Sequence, residues 1–330
     1  MKHLLTPIAA AVLLGSATAA MAADPIHIKF SHVVAADTPK GQAAEYFKKL
    51  AEERTKGRVK VTIYANSQLY KDKEELEALQ MGSVQMLAPT TSKFGPMGLK
   101  EFEVFDVPYL FMNEDQVHKV TRGPVGQSLL QKLESRGIKG LAFWDNGFRV
   151  FSANKPLRTP ADMKGLKIRI NSSKVNQSII HAVGALPQTM ALSEVYQAMQ
   201  TGVVDGGDGN LSNLYTQKQY EVQKYVVNTK HSYSGYAVVV NKAFWDKLPP
   251  DIRTTLEGAI KDASVYNDSI AEKDNSNAIA MMKASGKTQI YEPNAAEKAQ
   301  WVKALQSVQN EIAPRIGMAM INSVKAATAK

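Results

Sequence analysis

Residues 26–65, IHIKFSHVVAADTPKGQAAEYFKKLAEERTKGRVKVTIYA, decide the fold class. Residues 26–34 alternate with near period two, as a strand does. Asp37, Thr38 and Pro39 are capping and first-turn residues. Ala43, Phe47, Leu50 and Arg54 then recur at helical spacing, forming an amphipathic stripe that Gly57 ends. Residues 58–65 alternate again as a second strand. Asp72, with Glu75 three residues on, reads as the cap of another helix. Leu76, Leu79 and Met81 supply its apolar side, and residues 84–89 form a third strand. A strand–helix–strand–helix–strand order predicts a parallel or mixed sheet covered by helices, an α/β fold.

Working outward, residues 125–137 read as a helix stopped by Gly137, residues 138–144 as a strand, and NGFRVFSANKP (146–156) as the start of a second group of strands. Thr159, Pro160, Ala161 and Asp162 form a capped turn before GLKIRIN (165–171). There Ile168 and Ile170 fall on one face and Lys167, Arg169 and Asn171 on the other. A helix follows over 174–183, an extended stretch over 185–190, a helix over 193–202 and the turn VDGGDGN (204–210). Residues 224–245 hold two extended runs with a kink at Ser234 and Gly235. Pro249 and Pro250 open a long amphipathic helix over 251–284, about 50 Å at 1.5 Å per residue, and 293–325 are helical. A helix of that length exceeds one small domain. Two α/β lobes, crossed by strands and backed by this helix, describe a hinged clamshell. Ligands of such sheets sit beyond the carboxyl ends of strands, in the cleft between lobes.

Residues 1–22 are not part of the fold. A basic start, an apolar run from Leu4 to Ala20 and the small-x-small Ala20-Met21-Ala22 make a secretory signal peptide, with cleavage expected after Ala22. The chain has no cysteine, which removes disulfides and thiolate chemistry. Its formal charge of +9 is interleaved with acids, so no nucleic-acid partner is expected. No phosphate-binding glycine loop, nucleophile elbow or zinc-protease motif occurs. His27, His32, His118, His181 and His231 show no metal-ligand spacing, and His32, directly after a strand, is the most suggestive of them. VDGGDGN lacks the alternate ligands of an EF-hand and reads as a glycine turn that lets a ligand approach the backbone. Phe102, Phe105, Tyr109 and Phe111 read as core or hinge packing. No cofactor, no metal and no catalysis are expected.

Arg149 and Arg169 are isolated cations in strand-like stretches. A lone strand arginine most often makes a structural salt bridge. Their spacing also lets two adjacent strands deliver both guanidiniums to one place. Arg is the residue of two-point carboxylate recognition. Whether Asn171 and Ser172 also face the cleft, the strand alone leaves open.

At this point the chain resembles a known family. IKFSHVVAADTPKGQAAEYFKKL, NSQLYKDKEELEALQMGSVQMLAP, FDVPYLF, NGFRVFSANKPLRTPADMKGLKIRI, SEVYQAMQTGVVDGGDGNLSNLYTQKQYEVQKY and NKAFWDKLPPDIR are similar, in order, to solute-binding proteins of tripartite ATP-independent periplasmic (TRAP) transporters, nearest the four-carbon dicarboxylate branch. The resemblance implies a type II-like periplasmic binding protein clamshell: domain I from 23–146 and about 235–274, domain II from 147–234 and about 275–330. It implies a monomer in the periplasm that hands a small organic acid to the small and large membrane subunits. Arg169 would make the main carboxylate contact, Arg149 would assist, and either Arg149 or Lys93 would suit a second carboxylate. The family pattern VDGQEN places an asparagine where this chain has Gly209, so Asn210 or Asn213 takes that role, or the ligand is held differently. Asp208 replaces the usual glutamate. Ser92, Lys93 and Tyr236 are first-lobe candidates, with His32. Alternatives are a 2-oxo, sugar or aromatic acid ligand, and a periplasmic enzyme of similar fold.

Overall fold

The computed structural model describes residues 24–329. The signal segment lies outside the described residues, and among these no helix is long and apolar enough to cross a membrane. The first unit is β1 (Ile26–Ser31), α1 (Pro39–Arg54), β2 (Val59–Tyr64), α2 (Glu75–Gln80) and β3 (Met86–Leu87). β1 pairs in parallel with both β2 and β3, as the sequence order requires. Thr38 caps α1 by accepting from Gly41 N at 3.2 Å, and Pro39 sits in the first turn. Ala43, Phe47 and Leu50 are buried beneath it.

Next come α3 (Glu114–Thr121), α4 (Pro124–Lys132), β4 (Ile138–Ala153), β5 (Lys167–Ile170), α5 (Lys174–Ala182), β6 (Leu186–Thr189), α6 (Leu192–Gln200), β7 (Gly206–Asn210), α7 (Leu211–Thr216) and β8 (Tyr225–Val227). The chain closes with β9 (Tyr233–Asn241), α8 (Lys242–Asp246), α9 (Pro250–Ser285), β10 (Gln289–Tyr291), α10 (Ala295–Ile316) and α11 (Met318–Thr328). The strands run in the order β2-β1-β3-β9-β4-β7-β5-β6, with β8 beside β4 and β10 beside β8.

The two lobes are joined through β4. Its residues from Ile138 to Phe148 pair with β9, and those from Arg149 to Ala153 pair with β7 and β8. The sequence reading divided this segment into two strands; it is one, turned at Gly147. That residue has φ +119°, a conformation that favours glycine, and an added Cβ would lie 2.8 Å from Asn275 Nδ2. β9 runs unbroken through Ser234 and Gly235, so the expected kink is absent; the break between extended runs falls at 228–232.

α9 spans both lobes. Ile252, Leu256, Ala259 and Ile260 pack with α1, β1 and β2, whereas Ala278 and Met282 pack with Val150, Leu211 and Val226. Between these ends, buried amides hold the crossing of β4. Asp145 N donates to Asn267 Oδ1 (2.6 Å), and Asn275 Nδ2 donates to Asn146 O (2.8 Å). The aromatic run is core, as its irregular spacing predicts: Phe105 and Phe111 stack at 6.0 Å, and both rings meet Tyr233.

Candidate functional site

Arg169 lies in the short strand β5. Ile168 and Ile170 are fully buried in the core beneath it. Arg169 falls on the other face, opposite Gly207 of β7. The sequence reading placed Arg149 and Arg169 on adjacent strands, but β7 lies between β4 and β5. Arg149 stands opposite Asn210 of β7, and Arg169 opposite Gly207. Both arginines line one cavity, with about 50 Å³ of free space, enough for more than a single water.

Arg169 is 7% exposed. Its Nε and Nη2 donate to Met190 O at 3.1 and 2.8 Å. The ion pairs among the described residues engage Arg149 and Lys93 but not Arg169. Burial pulls its guanidinium below the ordinary value, and Asp72 restores only part of the fall. Arg149 contrasts with it. Burial also opposes its charge, but Asp208 and Asp106 outweigh that and hold it above the ordinary value. Its Nη1 lies 3.3 Å from Asp208 Oδ2, and its Nη2 3.9 Å from Asp106 Oδ1. Asp208 Oδ1 is 3.5 Å from His231 Nε2. Burial pulls the His231 ring below its usual range against the opposing pull of Asp208, and the ring stacks on Phe151 at 4.1 Å.

Two carboxylates thus share one guanidinium, and they part company. Burial favours the protonated form of Asp208, but Arg149 and His231 prevail and lower it. Burial lifts Asp106 to about 7 despite Arg149. A folded-state value raised above the free one gives stability that is complete below the free value near 3.8 and is lost as pH rises towards 7. The melting temperature of the wild type is therefore expected to fall relative to Asp106→Asn between about pH 4 and 7. Parallel melting curves across that window would contradict this.

From the first lobe, Tyr236, Asp72 and Thr90 face the cavity. Asp72, read from sequence as a helix cap, does other work: α2 begins after Glu74 with no side-chain cap. Its carboxylate accepts from Leu192 N at 2.8 Å, tying the first lobe to α6, and pairs with Lys93 Nζ at 2.5 Å. Burial alone would raise Asp72, but Lys93 and Arg169 bring it to about 2. Lys93 also pairs with Glu75, so its charge is matched within the first lobe. Lys40 Nζ donates to Ala88 O (2.9 Å) and stands 3.8 Å over the Tyr236 ring.

The other candidates fall as follows. Asn213 and Asp208 line the cavity, as does Asn210. The amide of Asn210 is committed to the β4 crossing: it donates to Gly147 O (2.8 Å) and accepts from Asn146 Nδ2 (2.9 Å). Asn213 Oδ1 is buried without a hydrogen-bond partner. Ser92 is outside the lining, but its hydroxyl accepts from Asn171 Nδ2 at 2.8 Å, a bond between lobes. Asn171 itself faces the cavity, while Ser173 caps α5. His32 and Lys93 are outside the lining. His32 is fully buried, and desolvation holds its ring to about 3, hence neutral. Sequence reasoning missed Asp72, Thr90, Asn146, Ser234 and Gln219, and the apolar wall in which Val33 and Val34 meet Leu192, Val195 and Met199 across the lobes. The lobes are closed on each other.

A second cavity of about 620 Å³ lies between α3, α4 and α9 and contains no sequence candidate. His118, Asp145 and Asp268 meet there with ligand atoms within 4.8 Å, but Arg122 holds Asp268 and the Tyr233 hydroxyl donates to Asp145.

A buried guanidinium without a carboxylate in direct contact, in a cavity closed by two lobes, is suited to holding an anion. Residues 30–315 match the family described as bacterial extracellular solute-binding protein, family 7 (DctP). A relative from Rhodobacter capsulatus, named C4-dicarboxylate-binding periplasmic protein DctP, is 57% identical over 93% of this chain and 92% of its own. A TRAP periplasmic solute-binding protein from Shewanella oneidensis with bound succinate superposes with a TM-score of 0.90, at 39% identity, over 92% of this chain and 99% of that one. One from Pseudomonas aeruginosa with bound L-malate superposes at 0.85, also 39% identical, over 87% and 100%. The chain therefore belongs to family 7 of the bacterial extracellular solute-binding proteins, as a member of the DctP branch of TRAP transporter solute-binding proteins, a family that binds and does not catalyse.

Proposed function

We propose that this protein captures a four-carbon dicarboxylate, such as succinate, malate or fumarate, in the periplasm and delivers it to the small and large membrane subunits of a TRAP transporter. The observation that carries the reading is Arg169: a buried cation, inside a closed cavity, whose hydrogen bonds go to a carbonyl and not to a carboxylate. Desolvating a charge in this way is costly unless an anion joins it. The ligand's first carboxylate pairs with Arg169. Arg149, already shared with Asp208, borders the second pole, and Tyr236 and Asn213 complete the polar lining. Asn210 holds the hinge, Ser92 latches the lobes through Asn171, and Lys93 and His32 support the wall from behind.

The change of partners along β4 after Phe148 supports a lobe boundary close to residues 146–147. Cleavage after Ala22 is part of the same proposal, and mass spectrometry of the exported chain should find it beginning at Ala23. A thermal-shift panel of mono- and dicarboxylates, sugar acids and aromatic acids tests the ligand class. An acid at 100 times its dissociation constant stabilises the protein by about 2.7 kcal/mol. No shift with any four-carbon dicarboxylate would remove that class.

Closure supplies a further expectation. Asn171→Ala removes the bond to Ser92 and leaves Asn176 Nδ2 without its acceptor. A lost neutral hydrogen bond costs about 0.5–1.5 kcal/mol, so affinity should fall several-fold, with a larger ligand-free radius of gyration in solution scattering. Unchanged affinity and scattering would show that this bond does not favour the closed form.

A further inference from the structure

The stretch read from sequence as a glycine turn is strand β7, and its three glycines have different physical reasons. At Gly206 an added Cβ would lie 2.0 Å from Ser152 O, and at Gly207 it would lie 2.6 Å from Met199 Cε. Close backbone packing requires glycine at Gly206, whereas at Gly207 the contact is with the flexible tip of Met199. Gly209 is different. An added Cβ would meet no heavy atom within 4 Å, and Gly209 is not among the residues with left-handed φ. Neither packing nor backbone geometry calls for glycine at this position. Gly209 nevertheless lines the cavity, two residues beyond the Gly207 that pairs with Arg169. Side chains two apart along a strand share a face, so the open space over Gly209 is on the face that carries Arg169.

We propose that Gly209 is the specificity-determining residue for ligand bulk: the space left by its missing side chain holds the substituent-bearing part of the acid whose carboxylate Arg169 grips. This rests on the dicarboxylate reading above and adds to it the residue that sets how large an acid is accepted. A diacid carrying a 2-substituent uses this space; an unsubstituted one needs less of it. One or two methyl groups in a ligand pocket discriminate by about 10-fold or more.

Succinate and L-malate are titrated calorimetrically into wild type, Gly209→Ala and Gly209→Val, with the ligand-free melting temperature of each and of Gly206→Ala. The expected result is a graded loss of affinity, Ala less than Val. In Gly209→Val the loss for L-malate exceeds that for succinate by about 10-fold. The ligand-free melting temperature stays near wild type in both Gly209 variants and falls in Gly206→Ala. Gly209→Ala, which adds one methyl to open space, keeps the test valid should Gly209→Val fold poorly. Unchanged affinities, equal losses for the two acids, or a melting temperature lowered as far as in Gly206→Ala would overturn the assignment. A wild type that binds neither acid overturns the dicarboxylate reading and this assignment with it; wild-type binding with unchanged variants overturns this assignment alone.

Discussion

Arg169→Ala is expected to cost about 3–5 kcal/mol of ligand affinity, a loss of at least about 100-fold, because truncating one partner of a buried charge pair strands the other. In the closed cleft a carboxylate without its cationic partner is poorly solvated. Arg149 cannot substitute, since Asp208 already lies 3.3 Å from its Nη1. Lys93 cannot either, being matched by Asp72 and Glu75. Arg169→Lys should recover only part of the loss, because an ammonium is a point charge without the two-point fork of a guanidinium. The fold should tolerate Arg169→Ala: the hydrogen bonds lost go to one carbonyl, that of Met190. The signature is therefore a large fall in calorimetric affinity with a small change in ligand-free melting temperature.

Arg149→Ala should show the reverse balance, a loss of stability in the ligand-free protein. Arg149 is 3% exposed and stands between Asp208 and Asp106, which are 1% exposed. Without it Asp208 loses the group that most opposes its desolvation. Breaking a buried pair by removing one partner costs about 3–5 kcal/mol, which corresponds to roughly 6–20 °C in melting temperature. Asp208→Asn in the same chain removes the stranded charge and should restore part of the stability. Without such rescue, the Arg149–Asp208 pair is not what holds this wall together. The two arginines look alike in sequence, each a single cation in a strand. Their neighbours separate them: Arg149 pairs with Asp208, whereas Arg169 donates to the Met190 carbonyl and is the proposed ligand anchor.

That separation shows what the sequence can carry. Local periodicity made α1, β1, β2 and α9 legible, because their patterns arise within a few turns of chain. The alternation around Ile168 and Ile170 placed Arg169 on the opposite face of its strand and made it stand out. The continuity of β4 was not legible: Asp145, Asn146 and Gly147 look like a turn, and the groups that hold them in a strand, Asn267 and Asn275 of α9 and Asn210 of β7, lie more than sixty residues away. Asp72 was misread for a related reason. Its capping pattern with Glu75 is local, whereas its partners, Lys93 and Leu192 N, arrive from a later turn and from the other lobe. The same pairing neutralises Lys93, which the resemblance offered as a cation for a second carboxylate. Asn210 and Asn213, equivalent in the sequence, are told apart by the bonds of Asn210 to Gly147 O and Asn146 Nδ2.

Titration of succinate into wild type and Arg169→Ala, followed by calorimetry with the melting temperature of both proteins in hand, is the most direct test of the account. The prediction is saturable one-to-one binding to the wild type, and heat reduced to background in a variant that remains folded. A folded Arg169→Ala protein that binds succinate as tightly as the wild type would contradict it.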